Sequence, residues 1–89
     1  MKAASDYKIQ SGEYAIIELK GKLPKFCRNI DVLANPVGKI THACPDNIMV
    51  KLRKGRTRIQ IKNIWKKTLI IPTNTPIIEL DMSNINYVF

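Results

Sequence analysis

Apolar and polar residues alternate along Glu13-Tyr14-Ala15-Ile16-Ile17-Glu18-Leu19-Lys20, between Gly12 and Gly21. Successive strand side chains point to opposite faces, so Ala15, Ile17 and Leu19 share one face and Tyr14, Ile16 and Glu18 the other. Residues 23–28 carry Pro24 and read as a loop, and Asn29 to Leu33 reads as a second strand. Asn35-Pro36-Val37-Gly38 is a turn signal, because proline presets φ and glycine adopts positive φ at no steric cost. Lys39 to Cys44 then reads as a strand, closed by Pro45-Asp46-Asn47.

Two further runs, Asn47 to Arg53 and Arg56 to Lys62, flank Lys54-Gly55. Two residues between alternating runs is hairpin spacing. Counting back from that loop opposes Leu52 to Thr57, Val50 to Ile59 and Ile48 to Ile61 on a core face. On the other face it opposes Arg53 to Arg56, Lys51 to Arg58 and Met49 to Gln60. The alternation breaks at Lys62-Asn63-Ile64-Trp65, which reads as a short turn. Thr68 to Ile71 and Ile77 to Leu80 read as short strands either side of the loop Thr73-Asn74-Thr75-Pro76.

These elements predict an all-β fold, a small barrel of about five short antiparallel strands. Its organisation is a single domain over 1–89: an N-terminal arm at 1–11, the barrel at 12–80 and an apolar C-terminal tail at 81–89. The order from Val37 to Ile71 resembles the KOW and Tudor-type members of the SH3-like small barrels. A glycine-led strand (Gly38-Lys39-Ile40) precedes a hairpin (Ile48 to Ile61), and a short turn (Asn63-Ile64-Trp65) leads to the closing strand. The resemblance implies a binding surface on the barrel's outer face for nucleic acid, peptide, or ribosomal or transcription partners, and implies no catalysis.

Charge sharpens this picture. The chain has fifteen basic and seven acidic residues, a formal net charge of +8. Eight of the basic residues fall in one acid-free stretch: Lys51, Arg53, Lys54, Arg56, Arg58, Lys62, Lys66 and Lys67. The seven left over balance the seven acids. A segregated basic field attracts a polyanion, whereas like charges placed opposite each other on a sheet weaken it. The leading reading is therefore a nucleic-acid-binding module, RNA preferred over DNA, that grips phosphates through those eight groups. If all eight met duplex phosphates the salt slope would be about −7, and half of them gives about half that value. The alternative is a small adaptor or inhibitor that grips an acidic protein surface. A subunit of a larger assembly satisfies both.

The remaining chemistry is sparse. Trp65 sits beside Lys66-Lys67 and is either a stacking platform or an apolar plug. Tyr87 and Phe89 in the tail are candidate hot spots for a protein partner. Tyr7, Tyr14 and Phe26 lie outside the basic segment, so no interleaved aromatic pattern of an RNA-recognition sheet is visible. A structural zinc site takes four ligands, usually with C-x₂₋₄-C spacing; Cys27, His42 and Cys44 are the three N or S candidates, Asp46 is a conceivable fourth, and no metal or cofactor is expected. Two cysteines make no disulfide framework. No nucleophile motif, phosphate loop or paired carboxylates appear, so an enzyme is not expected.

Hydrophobic residues at 45% with 25% charged exclude the composition of a disordered chain. No apolar run is long enough to span a bilayer, and residues 1–6 lack a secretory apolar region. A cytoplasmic setting with no membrane partner is the expectation. Abundant Ile, Lys and Asn are compatible with AT-rich coding in a virus, a phage or a low-GC host.

Overall fold

The two runs with the cleanest alternation, Tyr14–Lys20 and Arg56–Lys62, lie side by side as an antiparallel pair. In the computed structural model, which describes residues 1–23, 25 and 29–81, they belong to a set of eight strands. These are β1 (Lys2–Ala3), β2 (Tyr7–Ile9), β3 (Tyr14–Lys20), β4 (Asp31–Pro36), β5 (Ile48–Lys51), β6 (Arg56–Lys62), β7 (Leu69–Ile71) and β8 (Ile78–Asp81). They assemble into three small antiparallel sheets of order β1-β3-β6, β2-β7 and β5-β4-β8. The all-β expectation therefore holds, but the sheets do not close into a barrel. No helix among the described residues is long and apolar enough to cross a membrane.

The alternation decided the faces correctly. Ile17 and Leu19 of β3 are fully buried, while Tyr14 and Ile16 stay 64% and 62% exposed. Across the chain, Val50, Leu52, Ile59 and Ile61 enter the same core, and Arg53, Arg56 and Arg58 remain outside. The core takes residues from every strand, with Ile71, Ile77 and Ile78 supplied by the last third of the described chain. Burying an aliphatic side chain of this size contributes about 1.5–3 kcal/mol, so the buried isoleucines are the main stabilising term.

Three expectations about elements need correction. Residues 39–44 form no strand. Gly38 takes φ +63° and opens a 3₁₀ turn, Gly38–Ile40, which Thr41 closes by donating from N and Oγ1 to the Gly38 carbonyl. The strand at Asn29–Leu33 instead runs from Asp31 through Pro36. Proline is accommodated there because β5 pairing ends at Ala34–Ile48, so its missing N–H faces the side where no ladder continues. Finally, the first eleven residues are no arm. β1 pairs with β3, and β2 pairs with β7. Residues 74–77 fold over β1: Ala3 donates to Thr75 O, Asn74 donates to Ala3 O, and Ile77 donates to Met1 O. The tail expected at 81–89 lies outside the described residues except for Asp81, which ends β8, so Tyr87 and Phe89 receive no structural account.

Two turns are joined by Asp6, whose Oδ1 accepts from Thr73 N (2.6 Å) and Thr73 Oγ1 (2.8 Å). These bonds, the backbone one foremost, hold the Asp6 carboxyl below its ordinary range. A depressed carboxyl contributes stability above its unfolded pKa and loses it as pH falls through the folded value. The melting temperature of the wild type should exceed that of Asp6→Ala at about pH 5 and converge on it by about pH 2. A gap that stays constant over that range would show that ionisation of Asp6 is irrelevant.

Candidate functional site

Lys54 and Gly55 take φ +55° and +73°, the left-handed pair of a type I′ turn. Arg53 N donates to Arg56 O at 2.9 Å and Arg56 N returns the bond to Arg53 O at 3.0 Å, closing a two-residue hairpin loop. Lysine in the first position is held by Asn29 Oδ1, which accepts from Lys54 N at 3.0 Å. The hairpin was therefore legible, and so was the opposition of Arg53 to Arg56.

The rest of the expected hairpin ladder does not form. Beyond Arg53–Arg56 the two strands part, β5 turning to β4 and β6 to β3. Lys51 consequently lies opposite Asp31 rather than Arg58, and Arg58 lies opposite Glu18. Val50 and Ile48 face Val32 and Ala34, not Ile59 and Ile61, and Met49 faces Leu33 rather than Gln60. Leu52 and Thr57 are likewise not ladder partners, Thr57 pairing with Leu19. The competing principle is nonlocal: each strand gains more from a long partner on its other side than from its hairpin neighbour.

Two ion pairs follow from this rearrangement. Arg53 Nη1 lies 3.6 Å from Asp31 Oδ1, and Arg58 Nε lies 3.5 Å from Glu18 Oε1. Both pairs are exposed, so each contributes about 0–1 kcal/mol and leaves the arginines accessible to another anion. Glu18 is fixed in place by its backbone. Its carbonyl accepts from Ala4 N (2.9 Å), and its N–H donates to the Tyr7 hydroxyl (2.8 Å).

The sheet also assembles a cationic row that no local reading of the chain contains. Register places Lys2 opposite Lys20, and Lys20 opposite Arg56, so three basic residues stand abreast across β1, β3 and β6. Neighbouring strands are about 4.8 Å apart, close enough for each pair to repel. With Lys22 and Lys54 these groups surround a cleft of about 1170 Å³ beside the hairpin, where Glu79 is the lone acid in the lining. On the other side of the hairpin, a second cleft of about 690 Å³ opens where β5 and β6 part. Arg56 borders both.

The seventeen-residue basic stretch is thus split in space. Lys51, Arg53, Lys54, Arg56 and Arg58 gather at the hairpin end, whereas Lys62 ends β6, about 20 Å along the strand, and Lys66 and Lys67 lie in the loop beyond it. At that far end, Lys62 Nζ sits 5.3 Å from the centroid of the Tyr14 ring. An exposed aromatic therefore stands beside a cation of the basic segment in space. It belongs to β3, not to the basic segment itself, and only the Tyr14–Lys62 register reveals it.

Asn63 organises the loop beyond. It is fully buried, and its Nδ2 donates to Ile9 O (2.8 Å) and Lys67 O (2.8 Å). Its Oδ1 accepts from Trp65 N (3.0 Å), and its backbone N–H and carbonyl bond to Glu13 O and Gly12 N. Trp65 is held half-buried in this loop, with Ser11 Oγ donating to its carbonyl at 2.6 Å, while Lys66 and Lys67 remain exposed.

His42 and Cys44 lie in the turn and bend that follow the Gly38–Ile40 3₁₀ turn. His42 is exposed, whereas Cys44 is buried, its thiol pKa raised by burial and secondarily by Asp46. Cys27 lies outside the described residues. Among the described residues no group of three or more His, Cys, Asp or Glu side chains is placed to hold a metal ion.

Compared with family models, curated proteins and solved structures, the chain matches none. Its function is argued from the chemistry of these faces.

Proposed function

We propose that the protein is a non-catalytic nucleic-acid-binding module that holds a phosphate backbone on the outer face of the β1-β3-β6 sheet and around the β5–β6 hairpin. The observation that carries this reading is the row Lys2–Lys20–Arg56. Like charges abreast on a sheet weaken it by some tenths of a kcal/mol per pair, and a phosphate laid across them reverses the sign. Lys51, Arg53, Lys54 and Arg58 extend the row around the hairpin, and Lys62, Lys66 and Lys67 serve the far end of the strand.

Between those ends the outer face carries Ile16 and Tyr14 opposite Gln60 and Lys62. A base from an unpaired strand stacks on such a ring, contributing about 1–3 kcal/mol, with little demand on sequence. RNA is preferred over DNA through the resemblance to KOW-type modules. The SH3-like relation enters through the hairpin and the turn after it, since the sheets do not close. A cytoplasmic setting belongs to the same proposal.

Binding to single-stranded RNA, duplex RNA and duplex DNA, followed from about 50 to 300 mM salt, tests the reading through its log–log slope. We expect a steep slope, measurable affinity at the upper end and the strongest binding for single-stranded RNA. Affinity that vanishes by physiological salt, or that survives Arg56→Glu/Arg58→Glu unchanged, rules the proposal out.

A further inference from the structure

We propose that the cleft between β5 and β6 receives an extended acidic segment of a partner protein as an added strand. Among the described residues β5 and β6 are edge strands of different sheets, and they face each other after their pairing stops at Arg53–Arg56. Backbone groups along a strand point alternately to its two sides. Leu52 N donates to Ile30 O on the β4 side, so the alternation turns the N–H and C=O of Met49 and Lys51 into the cleft. On β6, Asn63 N donates to Glu13 O on the β3 side and Arg56 N to Arg53 O on the other. The same alternation turns Arg58 and Gln60 toward the cleft. Both walls therefore offer strand-spaced donors and acceptors, the template for strand addition.

The lining specifies the occupant's side chains. Met49 lies exposed in the lining with the buried Leu19 and Val50 behind it, and Lys51, Arg53, Arg56 and Arg58 stand at the rim, where Glu18 pairs with Arg58 and Asp31 with Arg53. An added strand alternates its own faces. Its inward residues cover the core edge behind which Leu19 and Val50 lie and are apolar, and its outward residues meet the four cations and are acidic. The matching ligand is a segment of about five to seven residues in which glutamate or aspartate alternates with small aliphatic residues. A nucleic acid satisfies the rim charges but has no peptide ladder to offer the edges, so the peptide fits more of the cleft. The same basic edge disfavours strand pairing between copies of this chain, since like charges would meet. This inference goes beyond nucleic-acid binding and shares with it the arginines at the hairpin.

The probe is a capped peptide of about seven residues alternating glutamate and valine, added to the whole protein while amide hydrogen exchange is read by NMR. Slowed exchange at Lys51, Arg58 and Gln60 is expected. Ile59 and Ile61, whose amides point to β3, should change little. Gln60→Pro removes an edge N–H without altering charge and should weaken the peptide about tenfold or more. A peptide with lysine in place of glutamate should not bind. Exchange at the cleft amides that stays unchanged under saturating peptide overturns the proposal, and this measurement needs no variant. Equal binding of the lysine peptide overturns it too. If single-stranded RNA, rather than the peptide, slows those amides, the cleft belongs to the nucleic-acid face and the inference is wrong.

Discussion

Replacing Lys20 with glutamate is expected to raise the melting temperature and weaken RNA binding at the same time. Lys20 stands between Lys2 and Arg56 in the three-strand row, so the substitution turns two repulsive cross-strand pairs into two attractive ones. Each change is worth some tenths of a kcal/mol, giving a gain of about 0.5–1 kcal/mol, or about 3–6 °C for a domain of this size. Affinity for single-stranded RNA should fall about tenfold or more, and the salt slope should flatten by at least about 0.7 as one phosphate contact is lost. Lys20→Gln should lie between the two proteins in both measurements. A variant that binds as well as the wild type would remove the row from the interface. One that melts lower would show that the three cations do not repel in the free protein.

The second large effect concerns Asn63. Its side chain fills three hydrogen-bonding positions inside the protein, two as donor and one as acceptor, linking β2 to the loop that carries Trp65, Lys66 and Lys67. Asn63→Ala leaves the carbonyls of Ile9 and Lys67 and the N–H of Trp65 without these partners. An unsatisfied buried group costs about 1–3 kcal/mol, and some of these reach water after the loop loosens. A loss of about 3 kcal/mol is expected, a large share of the ~5–15 kcal/mol that holds a domain together. Asn63→Asp should be comparably damaging, because a carboxylate would face two carbonyl oxygens. Urea unfolding followed by fluorescence of Trp65, the sole tryptophan, measures both variants. A loss below about 1 kcal/mol in Asn63→Ala would mean that water replaces the amide without difficulty.

What the chain disclosed of this fold is what neighbouring residues decide. Side-chain faces along Tyr14–Lys20 and Arg56–Lys62 follow from period two, and the Lys54-Gly55 turn follows from spacing, so both were readable. The choice of strand partner was not. Whether Lys51 meets Arg58 or Asp31 depends on residues twenty positions away, and the hairpin count carries no information about them. β1 and β2, two and three residues long, are too short to show a period at all. Residues 39–44 misled because their composition suits a strand, while Gly38 at positive φ sends the backbone into a 3₁₀ turn.

The candidate site divides in the same way. The basic segment was visible as composition, yet its division between the two ends of β6 required the fold. By composition Lys2 and Lys20 belong to the charges that the acids balance, and their alignment with Arg56 appears only in the register of three strands. Tyr14 is distant in sequence from Lys62, the lysine its ring faces, so only the β3–β6 register shows the pair. Asn63 carried no signal beyond interrupting an alternation, and a buried asparagine cannot be told from a loop asparagine by local sequence.

The embrace of β1 by residues 74–77 has a consequence for how the protein is made. As the chain leaves the ribosome residues 1–3 emerge without the partner they have in the fold, and the segment that clasps them is synthesised more than seventy residues later. β3 likewise waits for β6. A domain whose first strand is completed by its last third cannot acquire its native core piecemeal during elongation; it folds after the clasp is available, at the millisecond-to-second pace typical of topologies rich in distant strand pairings. Until then the apolar side of β3 is bare, and exposed apolar surface of that kind is what makes an incompletely folded chain prone to aggregate.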